Sequence, residues 1–331
     1  KYIFKLSYSD NLVSYLMEYR ELGWTGEKIS VVGLGAWQFS DAWGVLDYEN
    51  AKKIIEASFS SGVNLIDTAA VYGRGRSEEF VGRAVRELGI RDKVIIATKL
   101  PGEFMNEYDV FKGTERSLAR LGVDVIDLMQ VHWPPAWHNF PTCEYMRALE
   151  RLVKLGKIRY IGLSDFPVEL IESARQCLSS IDIVSIQIRY NLAERYAEKE
   201  HIPYAEREGL TVLAWSPLAK GALSGKYDPK NPPTFSDVRS GEAVFHPENL
   251  AKLEPLINAV KELSKKYNAT PTQISLRWLI QYSPVVVPIP GAKSPDQARE
   301  NAGAGSFSLS FEDLVLLDRI SRGIRISYVT W

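Results

Sequence analysis

Four successive apolar runs end in polar residues at nearly constant spacing, and that spacing restricts the fold more than any other feature. Asp67 follows Val63–Ile66, Lys99 follows Val94–Ala97 closely, His132 follows Ile126–Val131 and Ser164 follows Ile158–Leu163, at steps of 32, 33 and 32 residues. One such step holds a strand, a helix and their turns. Further runs at Val31–Leu34, Ile183–Ile188, Leu210–Ala214 and Val285–Ile289 raise the count to eight. Amphipathic stretches separate them, among them Asn50–Ser61, Ser77–Leu88, Val110–Leu121, Glu144–Leu155 and Pro167–Gln176. Continuous apolar strands alternating with helices form a parallel sheet covered on both faces. Eight of them close an α/β fold of the (β/α)8 TIM barrel type.

An open doubly wound sheet is the competing arrangement. It needs Gly-x-Gly-x-x-Gly after the first strand and an acidic residue about 20 positions later. Gly33-Leu34-Gly35 is followed by Ala36, Trp37 and Gln38, and Asp67 stands 32 residues beyond Gly35, so the barrel is preferred. The seventh unit is long: 74 residues separate Ser216 from Pro290. Its first part, 228–247, is rich in Pro, Asn, Ser and Gly and reads as a surface loop. Extra helices, Leu250–Tyr267 and Pro271–Gln281, then lead into the last strand. No linker divides the chain, so one domain is expected although its 331 residues would accommodate two.

Composition narrows the function classes. Forty basic residues against 41 acidic ones leave a net charge of −1, which argues against a broad nucleic-acid footprint. No apolar run reaches the length of a membrane span. Cys143 and Cys177 are too few for a disulfide framework and suggest a reducing, cytoplasmic setting. The four histidines show no zinc spacing, so no metal is expected.

Catalytic groups of a barrel gather where strands end in loops. Asp67, Lys99 and His132 occupy such ends, and Tyr72 follows Asp67 by five residues. The set contains no nucleophile–base pair and no carboxylate pair. A phenol is a weak acid at neutral pH. A neighbouring ammonium, itself held by a carboxylate, is expected to lower its pKa and make it a usable proton donor. With His132 orienting a carbonyl, these residues suit carbonyl reduction by an external hydride donor.

Gly33-Leu34-Gly35-Ala36-Trp37, Asp67-Thr68-Ala69-Ala70-Val71-Tyr72-Gly73, Ala97-Thr98-Lys99 and His132-Trp133-Pro134 together resemble the aldo-keto reductase superfamily. Gly162-Leu163-Ser164, Trp215-Ser216-Pro217-Leu218, Ile289-Pro290-Gly291-Ala292-Lys293-Ser294 and Glu300-Asn301 extend the resemblance from about Met17 to Arg322. It implies a catalytic tetrad of Asp67, Tyr72, Lys99 and His132, and NADPH or NADH lying across the carboxyl-terminal face. By motif, Ser164, Asp165 and Gln187 would hold the nicotinamide carboxamide, and Trp215 would stack on the ring. Ser216, Leu218, Lys220 and Gly221 would cradle the pyrophosphate, while Lys293, Ser294, Gln297, Glu300 and Asn301 would meet the adenosine. The resemblance also implies a bottom hairpin of Tyr19–Leu22 against Lys28–Val31, leaving Lys1–Leu16 as an extension without catalytic role.

Two positions depart from the family pattern. Asp165 replaces a common asparagine, and Gln297 stands where several members place an arginine for the 2′-phosphate. Lys293 is then the one obvious cation there, so NADPH is the first expectation and NADH the second. Trp37, Phe39, Trp43, Trp133 and Trp137 cluster in loops of the active face, with Trp37 and Trp133 as substrate-pocket candidates. Tyr328 and Trp331 could close the pocket or trail away from it. His138, His201 and His246 read as surface residues. The family also contains potassium-channel β subunits, so a nucleotide-binding regulatory subunit is the alternative to a reductase. A lyase using Lys99 as a Schiff base is disfavoured, because Asp67 should keep Lys99 charged.

Overall fold

The computed structural model describes residues 16–135 and 140–328. An antiparallel hairpin, β1 (Tyr19–Glu21) and β2 (Lys28–Ser30), comes first. The barrel strands follow: β3 (Leu34–Gly35), β4 (Leu65–Asp67), β5 (Ile95–Leu100), β6 (Ile126–Val131), β7 (Ile158–Ser164), β8 (Ser185–Arg189), β9 (Thr211–Trp215) and β10 (Val286–Pro288). Each pairs in parallel with the next, in sequence order from β3 to β10. The helices between and after them are α1 (Tyr48–Ser60), α2 (Arg76–Glu87), α3 (Glu107–Leu121), α4 (Thr142–Lys154), α5 (Val168–Gln176), α6 (His201–Glu208), α7 (Pro247–Tyr267), α8 (Pro271–Tyr282), α9 (Pro295–Gly303) and α10 (Phe311–Arg322).

The two edges of the sheet meet at a seam. Gly33 donates its N–H to the Pro288 carbonyl at 2.9 Å and Gly35 to that of Pro290 at 3.0 Å. A Cβ on Gly35 would lie 2.7 Å from the Ile289 carbonyl oxygen, so glycine permits the approach. Alternation along the strands sorts side chains into two layers. Leu65, Ile95, Ala97, Leu128, Leu213 and Val287 fill the barrel, joined from below by Leu22 and Ile29 of the hairpin. The other face packs against the helices in a larger apolar cluster. The hairpin is pinned there by Trp24 Nε1 donating to the Ile183 carbonyl at 2.9 Å.

Side-chain caps define helix starts: Asp47 on α1, Asn106 on α3, Ser294 on α9 and Ser310 on α10, with a full capping box at Thr270 and Gln273 on α8.

Several expectations are corrected. The first barrel strand is shorter and later than Val31–Leu34, because Val31 and Val32 leave the sheet to pack on Leu276 and Ile280 of α8. Helices α6, α9 and α10 are not among the helical stretches anticipated from the sequence. Cys143 and Cys177 are not free thiols but a disulfide joining α4 to the end of α5, with Cα atoms 4.9 Å apart, so their number carries no statement about compartment. Phe39 is fully buried in the helix–sheet core rather than facing the mouth. His201 is half-buried, its Nε2 3.0 Å from the Phe166 carbonyl, whereas His246 is exposed. The expectations for Lys1–Tyr15, Trp137, His138 and Trp331 lie outside the described residues. Among the described residues, no helix is long and apolar enough to cross a membrane.

Candidate active site

The barrel twist brings the ends of β4, β5 and β6 side by side, and their terminal side chains converge. Lys99, fully buried within β5, donates from Nζ to Asp67 Oδ1 at 2.5 Å, to the Thr68 carbonyl at 2.9 Å and to the Tyr72 hydroxyl at 3.3 Å. Three acceptors, a carboxylate, a backbone carbonyl and a phenol oxygen, therefore pin the ammonium. The second oxygen of Asp67 accepts from Gln130 Nε2 at 3.1 Å and Gln187 Nε2 at 2.9 Å. Tyr72 presents its edge to His132, with ring centroids 5.6 Å apart, and stacks on Trp37 at 6.0 Å. Trp133 lies beside His132 at 4.4 Å and is tied through Nε1 to Glu103 at 3.1 Å.

Burial decides the protonation states. It works against the Lys99 ammonium, but Asp67 and Tyr72 more than offset it and the lysine pKa is raised. Burial also raises the Tyr72 pKa, outweighing the pull of Lys99. The lowered phenol pKa expected from the sequence is thus not what the site produces; Tyr72 remains a protonated phenol. Burial, followed by repulsion from Lys99, holds His132 well below the usual histidine value, so its imidazole is neutral at pH 7.

A cavity of about 460 Å³ opens beside this cluster. Asp67, Tyr72 and His132 line it, and so do Trp37, Trp133, Ser164, Asp165, Gln187, Trp215, Ser216, Leu218, Lys220, Gly221, Lys293, Gln297, Glu300 and Asn301. Lys99 does not line it but stands behind Tyr72, whose hydroxyl its Nζ contacts. Ser294 is set apart: its hydroxyl caps α9 by accepting from the Gln297 N–H at 3.2 Å.

The cavity wall is strained and under-satisfied in a consistent place. Asp165, Ser216, Ala219 and Lys220 adopt positive φ angles of 56°, 51°, 48° and 53° without being glycine. Such conformations cost energy and collect at ligand clamps. Among the described residues, buried atoms without a partner also face this region, namely Ser216 Oγ, Gln38 Oε1, Trp43 Nε1 and His132 Nδ1. Polar atoms left unpaired in this way suit a polar ligand. Asp165, whose carboxyl pKa burial raises, accepts from Trp215 Nε1 at 2.9 Å. Arg189 lies 5.3 Å over the Trp215 ring, and the indole also lines the cavity.

Sequence reasoning missed Gln130, which looks like one more strand residue until the register places it against Asp67. It also missed Arg239, Lys226 and Tyr227, which line the cavity from the long seventh connection. Arg239 sat in a segment that composition marked as surface loop.

Residues 31–322 match the model of the aldo/keto reductase family. The chain is 30% identical over 327 residues to the NADH-specific methylglyoxal reductase of Escherichia coli, covering 92% of this chain and 98% of that one. The glycerol dehydrogenase AKR11B4 of Gluconobacter oxydans superposes with a TM-score of 0.83 at 32% identity, covering 96% of this chain and 98% of its own. An aldo/keto reductase of Klebsiella pneumoniae solved with NADP and acetate superposes with a TM-score of 0.72 at 27% identity, covering 92% and 96%.

Proposed function

This chain belongs to the aldo/keto reductase family, and we propose from that premise that it reduces aldehydes or ketones to alcohols with NADPH, NADH being the second choice. The observation that carries the reading is the buried chain from Asp67 through Lys99 to the Tyr72 hydroxyl, ending on the cavity wall. The residues that would hold the dinucleotide are Ser164, Asp165 and Gln187 at the carboxamide, Trp215 at the ring, and Ser216, Leu218, Lys220 and Gly221 at the pyrophosphate. Lys293, Gln297, Glu300 and Asn301 would meet the adenosine. When bound, the nicotinamide supplies the hydride.

The protein's own share is proton delivery and orientation. Tyr72, protonated at neutral pH, gives its hydroxyl proton to the carbonyl oxygen as that oxygen becomes an alkoxide. Lys99 then faces a phenolate, and its positive charge stabilises that anion in a site shielded from water. Asp67 keeps Lys99 charged and aimed. Neutral His132 offers a hydrogen bond to the carbonyl without repelling Lys99. Trp37 and Trp133 flank the reacting position and favour a substrate with a flat or apolar body.

NADPH oxidation followed by absorbance against a panel of aldehydes and ketones tests the reading. Tyr72→Phe should lower kcat by at least about 10²-fold while leaving dinucleotide binding intact. Undiminished turnover in that variant would remove Tyr72 from the acid's role. Tight nucleotide binding with negligible turnover across the panel would favour the regulatory-subunit alternative.

A further inference from the structure

Asp67 has two carboxylate oxygens, and Lys99 occupies one of them. Oδ2, the other, accepts from Gln130 Nε2 at 3.1 Å and from Gln187 Nε2 at 2.9 Å. The two amides also meet each other, Gln187 Nε2 donating to Gln130 Oε1 at 3.1 Å. All three residues are buried. Asp67 and Gln187 line the cavity, whereas Gln130 does not. A carboxylate paired with an ammonium can only accept, which dictates how both amides sit. Gln130 turns its nitrogen to Asp67, and its oxygen then receives Gln187. Gln187 commits both amide hydrogens to this triangle and keeps its carbonyl oxygen as the polar atom left for an occupant of the cavity. Room for Gln130 comes from the neighbouring strand. The residue stands in register with Lys99 on β5 and with Gly162 on β7. A Cβ on Gly162 would lie 3.0 Å from Gln130 Cγ, so the bare glycine lets the side chain pass.

We propose that Gln130 is a positioning residue for the reduction: it aims Asp67 at Lys99 and fixes the amide of Gln187. One buried triangle then sets both the proton-donating side of the site and the side that meets the dinucleotide. The proposal rests on reading the cavity as that of a carbonyl reductase. Without Gln130, Asp67 Oδ2 keeps one donor instead of two, and one Gln187 hydrogen is left without an acceptor in a buried place. Asp67 gains freedom to turn, and with it Lys99, the cation that must stabilise the Tyr72 phenolate. Gln130 is shut off from the cavity, so its loss falls on the transition state and not on capture of the carbonyl.

Gln130→Met is the informative variant, because it keeps the length of the side chain and removes both donor and acceptor. The full chain and its variants are assayed for kcat and KM with an aldehyde that the wild type reduces, and titrated with NADPH by calorimetry. Gln130→Met should lower kcat about tenfold or more, hold the aldehyde KM within about threefold and weaken NADPH at least about threefold. Gln187→Met should weaken NADPH further. Adding Gln130→Met to it should cost less than another factor of about two, because the effect of Gln130 on the dinucleotide passes through Gln187. If Gln130→Met fails to fold, Gly162→Ala, which crowds Gln130 and leaves its hydrogen-bonding atoms in place, should give the same fall in kcat at steady KM, smaller in size. Unchanged kcat, a loss confined to KM, or NADPH losses that multiply in the double variant overturn the proposal while the reductase stands. A wild-type chain that reduces no carbonyl overturns that underlying reading and this one with it.

Discussion

His132 shows how burial fixes a residue's chemistry before any ligand arrives. Its neutral form is enforced by burial and by Lys99, so the folded chain refuses a proton that the unfolded chain accepts. Below pH 6.5 the unfolded state binds more protons than the native state, so stability falls as pH falls, by up to about 1.4 kcal/mol per pH unit. Urea midpoints between pH 7 and pH 5 should fall more steeply for the wild type than for His132→Gln; parallel slopes would contradict a buried neutral imidazole. Lys99 behaves in the opposite sense. Its raised pKa stabilises the fold throughout the neutral range, and that contribution is lost only as pH climbs through the lysine's native value. The positions of Asp67, Lys99 and His132 were legible from sequence because strand ends announce themselves by periodicity, and Tyr72 was placed beside them by its motif. The direction of the Tyr72 shift was not, because a motif names neighbours but not the water they exclude. Gln130 was invisible for a related reason: its meaning depends on register across two strands.

At the scale of elements, strands were read more securely than their connections. β6 ends where the apolar run ends, and β4, β5, β7, β8, β9 and β10 shift by one to three residues at their boundaries. The segment 228–247 fared worst. Its Pro, Asn and Gly content announces irregular backbone, yet nothing in composition says that it folds inward to bring Arg239 to the cavity. The α4–α5 disulfide was equally unreadable, since its Cα atoms, 34 residues apart in sequence, are brought to 4.9 Å only by packing. That link encloses β7 and with it Ser164 and Asp165. Cross-linking a loop of this length is worth roughly 2–4 kcal/mol through the unfolded state. Adding reductant, or making Cys143→Ser, should therefore lower the thermal midpoint by several degrees, as read by circular dichroism. Two titratable thiols in the unreduced protein would show that the bond does not form.

For the whole molecule, closure depends on one narrow seam. β3 contributes only two residues, and its partner strand passes so near Gly35 that a methyl group there must push the Ile289 backbone away. Gly35→Ala should cost about 1–3 kcal/mol, measured as a drop in urea midpoint, whereas alanine at exposed Gly241, where no atom lies within 4 Å of the added carbon, should cost less than half as much.

The hairpin gives that closed barrel a floor. Leu22 and Ile29 cover the far end of a barrel already filled by its own strand side chains, so the cavity is a cup with one rim. Whatever enters over the rim leaves over the same rim. Two ligands that share such a vessel must queue: the one seated lower departs last, and an excess of the upper one slows its escape.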